Sequence, residues 1–448
     1  MNIIIVGAGE IGSHLINLIA EEGHNIIVID SQQKAIEAVT DNYDVKGIVG
    51  SGASQEILQE ANVFNTDILI AVTPSDEINI LSCLVAKHNN VKHVIARIRN
   101  PEYSNQNQFF HELGLNMIIN PELETANKIA ELLLFRGALK INNFASEEIE
   151  LVEIKINKDS PIIGRPLKEI FKQFPTKILI CAVERNEKAI IPDGSFILKE
   201  GDKVHFTVSV NKLTEVFKQL NLFKSHCKSA MIFGGGKTSF YLAKKLIENN
   251  INVKIFEANI HRCEELSYAL DNVVIINGSI SDESLLKEEG IDKVDALIAL
   301  ENRDEDNIII SLYAKDIVPK VITNLNRISL ENILYTFGLE TIISPKSIIA
   351  NKIIHYISLI SDDLTTKIQT FYNLINNQVE VSEFYISTKT EFTNKTFKEL
   401  KIKPNVLVAN IIRNKEVLIP NGNDSIKPED TIIVVSTNKI HNLEDIFN

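Results

Sequence analysis

A chain of 448 residues exceeds one ordinary hydrophobic core and divides into about two to four domains. Its 44% hydrophobic and 23% charged content is that of a folded protein and excludes the disordered and fibrous classes. Against 46 Lys and Arg stand 59 Asp and Glu, a net charge of -13 that repels a phosphate backbone or an anionic lipid surface, so nucleic acid is not expected as a partner.

In chain order, the first element is the apolar run IIIVG (residues 3–7), which enters Gly7-x-Gly9-x-x-Gly12 and opens onto the helical pattern HLINLIAEEG. The runs NIIVID, VKGIVG, DILIAVT, KHVIARI and NMIIN follow, separated by helical stretches such as IEAVTDNY. Strands that are continuously apolar rather than alternating are buried on both faces, which predicts a parallel, doubly wound α/β sheet. Next, EIELVEIKIN alternates as a half-buried strand does, PIIGRPLKEIFKQF reads as a helix entered through proline, and hairpin-like turns at ERNE and PDGS join further strands. That pattern predicts a small α+β unit with an exposed face. The stretch 209–230 leads onward without a Gly/Ser/Pro-rich linker, so the two halves are expected to pack closely.

The whole order then repeats. NIIIVGAGEIG (2–12) returns as SAMIFGGGKTS (229–239), pairing Gly7 with Gly234 and Gly9 with Gly236, and Asp30 pairs with Glu257 at the same spacing. DILIAVTPSDEIN (67–79) answers DALIALENRDEDN (295–307), and GLNMIINPELETANKIA (114–130) answers GLETIISPKSIIANKII (338–354). In the small units, 180–206 matches 408–434, aligning Arg185 with Arg413, Pro192 with Pro420, Gly194 with Gly422 and Asp202 with Asp430, and each ends in a helical tail, LTEVFKQL or LEDIF. The predicted domains are 1–140 and 226–367 for the large units, and 141–225 and 368–448 for the small ones.

A glycine loop between strand and helix needs its first glycine for a tight turn and its second for close approach of backbone N–H groups to a pyrophosphate. Gly12 lets helix and strand pack closely. Asp30, 18 residues beyond Gly12 at the end of the second strand, can accept both ribose hydroxyls and disfavours a 2′-phosphate, which selects NAD or an adenine nucleotide over NADP. GSGAS (50–54), with Ser51 and Gly52, offers small side chains where an adenine would lie; its alternative is an ordinary turn. Thr73 and Pro74 close the fourth strand at the carboxyl edge, where such sheets hold ligands. Arg97 and Arg99 lie two residues apart and hence on one face, either as an anion site for a polyphosphate tail or as surface salt bridges. In the second copy Gly12 becomes Ser239, a small loss of packing. Asn324 and Asn326 stand opposite the two arginines, with Arg327 nearby. The second site is therefore expected to take a ligand of lower phosphate charge, such as NAD or ADP, or none. Lys237 either compensates in part or is simply solvated.

Four cysteines lie far apart with no metal-ligand spacing, which reads as reduced, buried thiols in a cytosolic protein. No secretory signal is expected, and no apolar run approaches the roughly 20 residues that span a bilayer. No catalytic residue is assigned. The ten histidines are scattered and none recurs in both copies, and no GxSxG, GxxxxGK[ST] or HExxH motif is present. Two copies of a binding loop without shared catalytic groups favour a sensor over an enzyme; the alternative is an NAD-dependent oxidoreductase with an unrecognised substrate domain.

The order of two glycine-loop units, each trailed by a module with the IPxG…D pattern, together with TPSDEIN and ARIRNPEY, resembles the TrkA-type regulatory subunits of the bacterial Trk potassium-uptake system across essentially the entire chain. The resemblance implies two Rossmann-like RCK (KTN) domains, each followed by a small RCK-C (TrkA-C) domain. It implies a cytoplasmic sensor of NAD(H), ATP or ADP, peripheral to the plasma membrane. Such a sensor forms a homo-oligomeric ring, a dimer or tetramer of the tandem chain, beneath an integral-membrane potassium-translocating pore subunit. It further implies a first site of Gly7, Ala8, Gly9, Glu10, Ile11, Gly12, Asp30, Ser51, Gly52, Thr73, Pro74, Arg97 and Arg99. The second would comprise Gly234, Gly235, Gly236, Lys237, Thr238 and Glu257.

Overall fold

The computed structural model describes residues 1–448 except 21–22, 101–102, 104–106, 145, 147, 223–226, 361–367, 376–377, 388–389, 441 and 448. Residues 21–22 of the first helical pattern, Pro101 and Glu102 of ARIRNPEY, and 223–226 of the connecting stretch thus lie outside the described residues.

The runs of Ile and Val form strands that are buried on both faces at the centre of each sheet and partly exposed at the edge, as at Val49 and Val274. The first six, β1 (Asn2–Val6), β2 (Asn25–Asp30), β3 (Lys46–Val49), β4 (Ile68–Ala71), β5 (His93–Arg97) and β6 (Met117–Ile119), make one sheet in the order β3-β2-β1-β4-β5-β6. All its pairings are parallel, with Ile3 opposite both Ile26 and Ile68. The strand order reverses at β1, so the loops that leave the paired carboxyl ends of β1 and β4 run to opposite faces of the sheet and leave a crevice between them. The second copy reproduces this as β14-β13-β12-β15-β16-β17, with β12 at Ser229–Phe233, β13 at Asn252–Glu257, β14 at Val273–Asn277, β15 at Ala296–Ala299, β16 at Lys320–Asn324 and β17 at Ile342–Ile343. Both large units are Rossmann-like.

Each small module is a five-stranded antiparallel sheet. The first holds β7 (Ala138–Asn143), β8 (Ile149–Lys155), β9 (Leu179–Arg185), β10 (Lys188–Ile190) and β11 (Lys203–Ser209), in the order β10-β9-β11-β8-β7. The second holds β18 (Ile368–Leu374), β19 (Val379–Tyr385), β20 (Val406–Arg413), β21 (Glu416–Leu418) and β22 (Thr431–Ser436), in the order β18-β19-β22-β20-β21. Because β7 starts at Ala138, the first small sheet begins ahead of the predicted division at 140. The hairpins at 185–188 and 413–416 turn through paired positive φ angles at Asn186 and Glu187, and at Asn414 and Lys415. LTEVFKQL is helical over Leu213–Gln219, whereas LEDIF makes one tight turn, because Phe447 is drawn into an extended bridge with Ile402.

The expectation of an exposed face on the small modules is overturned. Ile149, Leu151, Cys181 and Ala182 of the first pack against Val379, Val381, Ala409, Ile433 and Val435 of the second, so the two sheets cover one another. Alternation read from one module alone cannot see its sister. All four cysteines are buried and free, and burial pushes the thiols of Cys83 and Cys181 upward.

The large units are joined by exchange. The helix Pro121–Leu134, which leaves the first, lays Ala126, Ile129 and Leu133 against Leu242, Ala243 and Leu246 of the second unit's glycine-loop helix, Lys237–Glu248. Reciprocally, the helix Pro345–Ile360 places Ile349, Ala350, Ile353 and Ile357 on Leu15, Ile16 and Ile19 of the first glycine-loop helix, Glu10–Ile19. Lys352 with Glu124 at 2.5 Å, and Asn120 Nδ2 donating to the Tyr241 hydroxyl at 3.2 Å, hold the crossing.

The residues shared by the two small modules are a structural clasp. Arg185 forks onto Asp202 (Nε–Oδ1 2.8 Å, Nη2–Oδ2 2.7 Å) and donates to the Ile197 carbonyl. Arg413 does the same with Asp430 (2.7 Å for both) and Ser425. Both carboxylates are buried, at 2% and 0% exposure. Removing the arginine leaves a buried charge unpaired, so Arg413→Ala should lower the unfolding free energy by about 3–5 kcal/mol, read by urea denaturation.

Glu150, buried beneath the first crossing helix with Glu131 and Lys128 near it, has its carboxyl raised to about 7 by burial and then by Glu131. The folded chain therefore holds a proton that the unfolded chain releases near 4.5, and this stability, complete below 4.5, is lost as pH rises through 7. Glu150→Gln, which mimics the protonated form, should stabilise the protein at pH 8 and give no gain at pH 4.5 in the same assay.

Candidate nucleotide-binding clefts

The first cleft is built by the turn out of β1. Gly7 has φ +108°, and a Cβ there would stand 3.0 Å from the Thr73 nitrogen, so glycine is required both by the backbone and by the neighbour. Gly9 is the N-cap of the helix Glu10–Ile19 and supplies no side-chain cap, which leaves the first-turn N–H groups of Glu10 and Ile11 facing the cleft mouth. A Cβ on Gly12 would fall 1.9 Å from the Gly7 carbonyl oxygen.

Asp30 ends β2 and accepts from Ala8 N at 2.7 Å and from Gln32 N at 2.8 Å, so one carboxylate closes the glycine loop while its remaining lone pairs face outward. Ser51 is exposed beside it. Gly52, in contrast, is buried, and its hydrogen is demanded by Val6, whose Cγ1 would lie 2.1 Å from a Cβ there. Gly52 is thus a packing residue under the cleft floor, with Ser51 at the rim.

At the opposite wall, Thr73 is fixed by Asn79, which accepts from Thr73 N at 2.9 Å and from Thr73 Oγ1 at 2.7 Å, and donates to the carbonyls of Thr73 and Arg97. Pro74 is exposed. The arginines separate. Arg99 donates from Nε to Glu122 Oε1 at 2.6 Å, an ion pair at the start of the crossing helix. Arg97 donates from Nη1 to the Thr73 carbonyl at 3.3 Å, and its buried Nε has no hydrogen-bond partner among the described residues. Burial, then the Arg99 charge, lower the Arg97 pKa. An anion entering between Arg97 and the loop N–H groups would satisfy both.

The second cleft follows the same plan with different charges. Gly234 has φ +95°, and a Cβ there would meet the Leu300 carbonyl oxygen at 2.6 Å. Gly235 N donates to Glu257 Oε2 at 2.7 Å as Ala8 does to Asp30, and Gly236 caps the helix. Lys237 is exposed and Thr238 half-buried at the helix start. Ser239 is fully buried and its hydroxyl donates to the Gly234 carbonyl at 2.5 Å, so the loop has opened enough to admit a side chain. Asp304 settles the register left open around Arg327. It accepts from Asn326 N and Arg327 N, as Asp76 accepts from Arg99 N and Asn100 N. Arg327 therefore stands opposite Asn100, and its guanidinium pairs with Glu305 at 2.6 Å.

Sequence reasoning passed over Asn79, Asp76 and Glu122, although the first two recur as Asn307 and Asp304. Repetition of a polar residue on a helix start was the available signal. A cavity of about 620 Å³ lies where the first glycine-loop helix (His14, Leu18), the first crossing helix, both small modules and the second large unit meet, and its lysines are engaged, Lys128 by Glu131, Lys140 by Glu331 and Lys203 by Glu184.

Fold and clefts together define a tandem dinucleotide-fold protein in which each Rossmann-like unit carries its own small module. The TrkA-N domain model matches residues 3–121 and 230–345, and the TrkA-C domain model matches 151–221 and 381–448. The Trk system potassium uptake protein TrkA homolog of Archaeoglobus fulgidus is 31% identical over 100% of both chains, and the Trk system potassium uptake protein TrkA of Vibrio alginolyticus is 29% identical over 100% of this chain and 98% of its own. Among solved structures, the GsuK channel superposes with a TM-score of 0.64 at 17% identity, covering 97% of this chain and 76% of that one, and the GsuK channel bound to NAD does so at 0.63. The chain belongs to the TrkA family of Trk potassium-uptake proteins.

The two loops should answer differently to exchange of their third residue. Gly12→Ala, forced onto the Gly7 carbonyl, should lower stability by about 1–3 kcal/mol, whereas Ser239→Gly, which loses a hydrogen bond from a roomier loop, should lower it by about 0.5–1.5 kcal/mol. Thermal denaturation of the two variants checks the order.

Proposed function

We propose that this chain is a nucleotide-sensing regulatory subunit that binds NAD(H), ATP and ADP at its glycine loops and controls a potassium-translocating membrane pore subunit. The observation that carries the reading is Arg97, a half-buried cation whose Nε lacks a partner among the described residues, near a helix start with uncapped N–H groups, in a chain of the TrkA family. The NAD-bound GsuK channel, and GsuK bound to ADP, support both ligand classes. The first-copy residues then divide the task. Gly7, Gly9, Glu10 and Ile11 admit and hold the phosphates by backbone, Asp30 takes the ribose, Ser51 borders the base, and Arg97 meets the terminal phosphoryl. Arg99 acts through Glu122, holding the crossing helix to the cleft.

The output is a change of shape rather than a reaction. A ligand shifts an equilibrium by its differential affinity for two states, and both clefts rest on helices gripped by the other half's crossing helix. Movement at a loop is thereby delivered to the small modules.

Assembly into a homo-oligomeric ring on the cytosolic face of the membrane fits two matching apolar patches. Leu81, Phe109 and Leu113 are exposed on the first unit, and Ile309, Ile333 and Phe337 on the second. No helix among the described residues is long and apolar enough to cross a membrane.

Arg97→Ala should erase the preference between ATP and ADP, a loss of about 1.5–3 kcal/mol in ATP binding, while leaving NAD affinity within about twofold. Calorimetric titration tests this, and potassium flux through vesicles holding the pore subunit, with each nucleotide, tests the coupling. Equal ATP/ADP discrimination before and after the substitution would remove Arg97 from the mechanism.

A further inference from the structure

The second cleft differs from the first at one residue that the glycine-loop pattern does not contain. Glu301 occupies the place of Thr73. Its backbone N–H donates to Asn307 Oδ1 at 2.7 Å, and Asn307 Nδ2 donates back to its carbonyl at 2.9 Å, the same clasp that Asn79 makes on Thr73. A Cβ on Gly234 would come within 3.0 Å of the Glu301 nitrogen, just as one on Gly7 would meet the Thr73 nitrogen. The Glu301 side chain therefore leaves the backbone at the cleft wall where the Thr73 hydroxyl does, and it carries a carboxylate into that wall.

The other charges at the cleft wall change in the same sense, while at the exposed helix start Lys237 stands where the first copy has Glu10. Asn324, whose Oδ1 is buried without a hydrogen-bond partner among the described residues, replaces the cation Arg97. Asn326, in place of Arg99, donates from its backbone and side chain to Asp304. Arg262, the guanidinium beside the loop, is engaged by the Gly235 carbonyl at 2.7 Å and by Glu265 at 2.7 Å. Burial, followed by Glu257 and Asp306, raises the Glu301 carboxyl above its ordinary value, which places the ribose-side and phosphate-side acids of this cleft within electrostatic reach of each other. Where the first cleft presents Arg97, the second presents an acid.

We infer that Glu301 is the specificity-determining residue of the second cleft, excluding the terminal phosphoryl group of ATP and admitting adenosine ligands whose phosphates are diesters, as in NAD, or absent. The inference rests on the nucleotide reading of the glycine loops. It adds that the tandem chain carries one polyphosphate site and one site blind to ATP, so that the two halves report on different pools.

The chain has no tryptophan, so Asn302→Trp, an exposed position beside Glu301, gives a fluorescence signal confined to the second cleft in the otherwise complete protein. Titration with NAD, adenosine and ATP should move this signal with the first two at concentrations at least about tenfold below those needed for ATP. Adding Glu301→Thr, the first copy's residue, should tighten ATP by roughly 10–100-fold and leave adenosine within about twofold. Glu301→Gln, which keeps the side-chain volume, should reproduce most of the gain and separates charge from size. ATP binding as tightly as NAD with Glu301 in place, or unchanged by both substitutions while adenosine still binds, would overturn the selectivity alone. Silence toward all three ligands in every variant would overturn the nucleotide reading of the second loop, and this inference with it.

Discussion

The structure depends on the exchange of helices between its two halves. Each glycine-loop helix has one face on its own sheet and the other under a helix delivered by the opposite half, so neither large unit completes its core alone. Burying side chains such as Leu133, Leu246, Ile16 and Ile353 in this way contributes about 1.5–3 kcal/mol each, enough to make the pair of large units one body. The same contacts make the clefts interdependent. The N-terminus that would receive a phosphate and the crossing helix that leads to the small modules are packed side by side, so a ligand that shifts one must displace the other.

Duplication supplied two scaffolds, and divergence of a few charges separated their chemistry. The glycines, the acid on the second strand and the asparagine clasp are common to both, because they fix the backbone of the loop and of the wall opposite it. The residues at the phosphate end are not. Asn324 stands opposite Arg97 in the repeat and Glu301 opposite Thr73, so the wall loses a cation and gains an acid while the loop path is kept. The third glycine shows the same logic in packing: Gly12 sits too close to a carbonyl for a methyl group, while Ser239 occupies a loop that has widened and hydrogen-bonds the carbonyl it would otherwise strike.

In the small modules, matching residues marked structure rather than binding. Arg185 with Asp202, and Arg413 with Asp430, are buried clasps that tie a hairpin strand to a loop. A charge pair that recurs at fixed spacing reads equally well as a ligand site. Only its burial and its mutual satisfaction distinguish the two.

Local information sufficed for much of this protein. Period, glycine spacing and the internal repeat determined the parallel strands, the glycine turns, the acids Asp30 and Glu257, and the alternation of large and small units, since each of these is imposed by the backbone within a few residues or by comparison of one half with the other. The tertiary structure alone decided which groups remain available. Arg97 and Arg99 look alike in sequence, yet Glu122 reaches Arg99 from a helix that follows it, and Arg97 keeps a nitrogen without a hydrogen-bond partner among the described residues. The small sheets looked half-exposed until each was found covering the other, and Gly52 looked like a cleft residue until Val6 was found pressing on it from another strand. Partners distant in the chain set burial and charge pairing, and neither leaves a trace in local spacing.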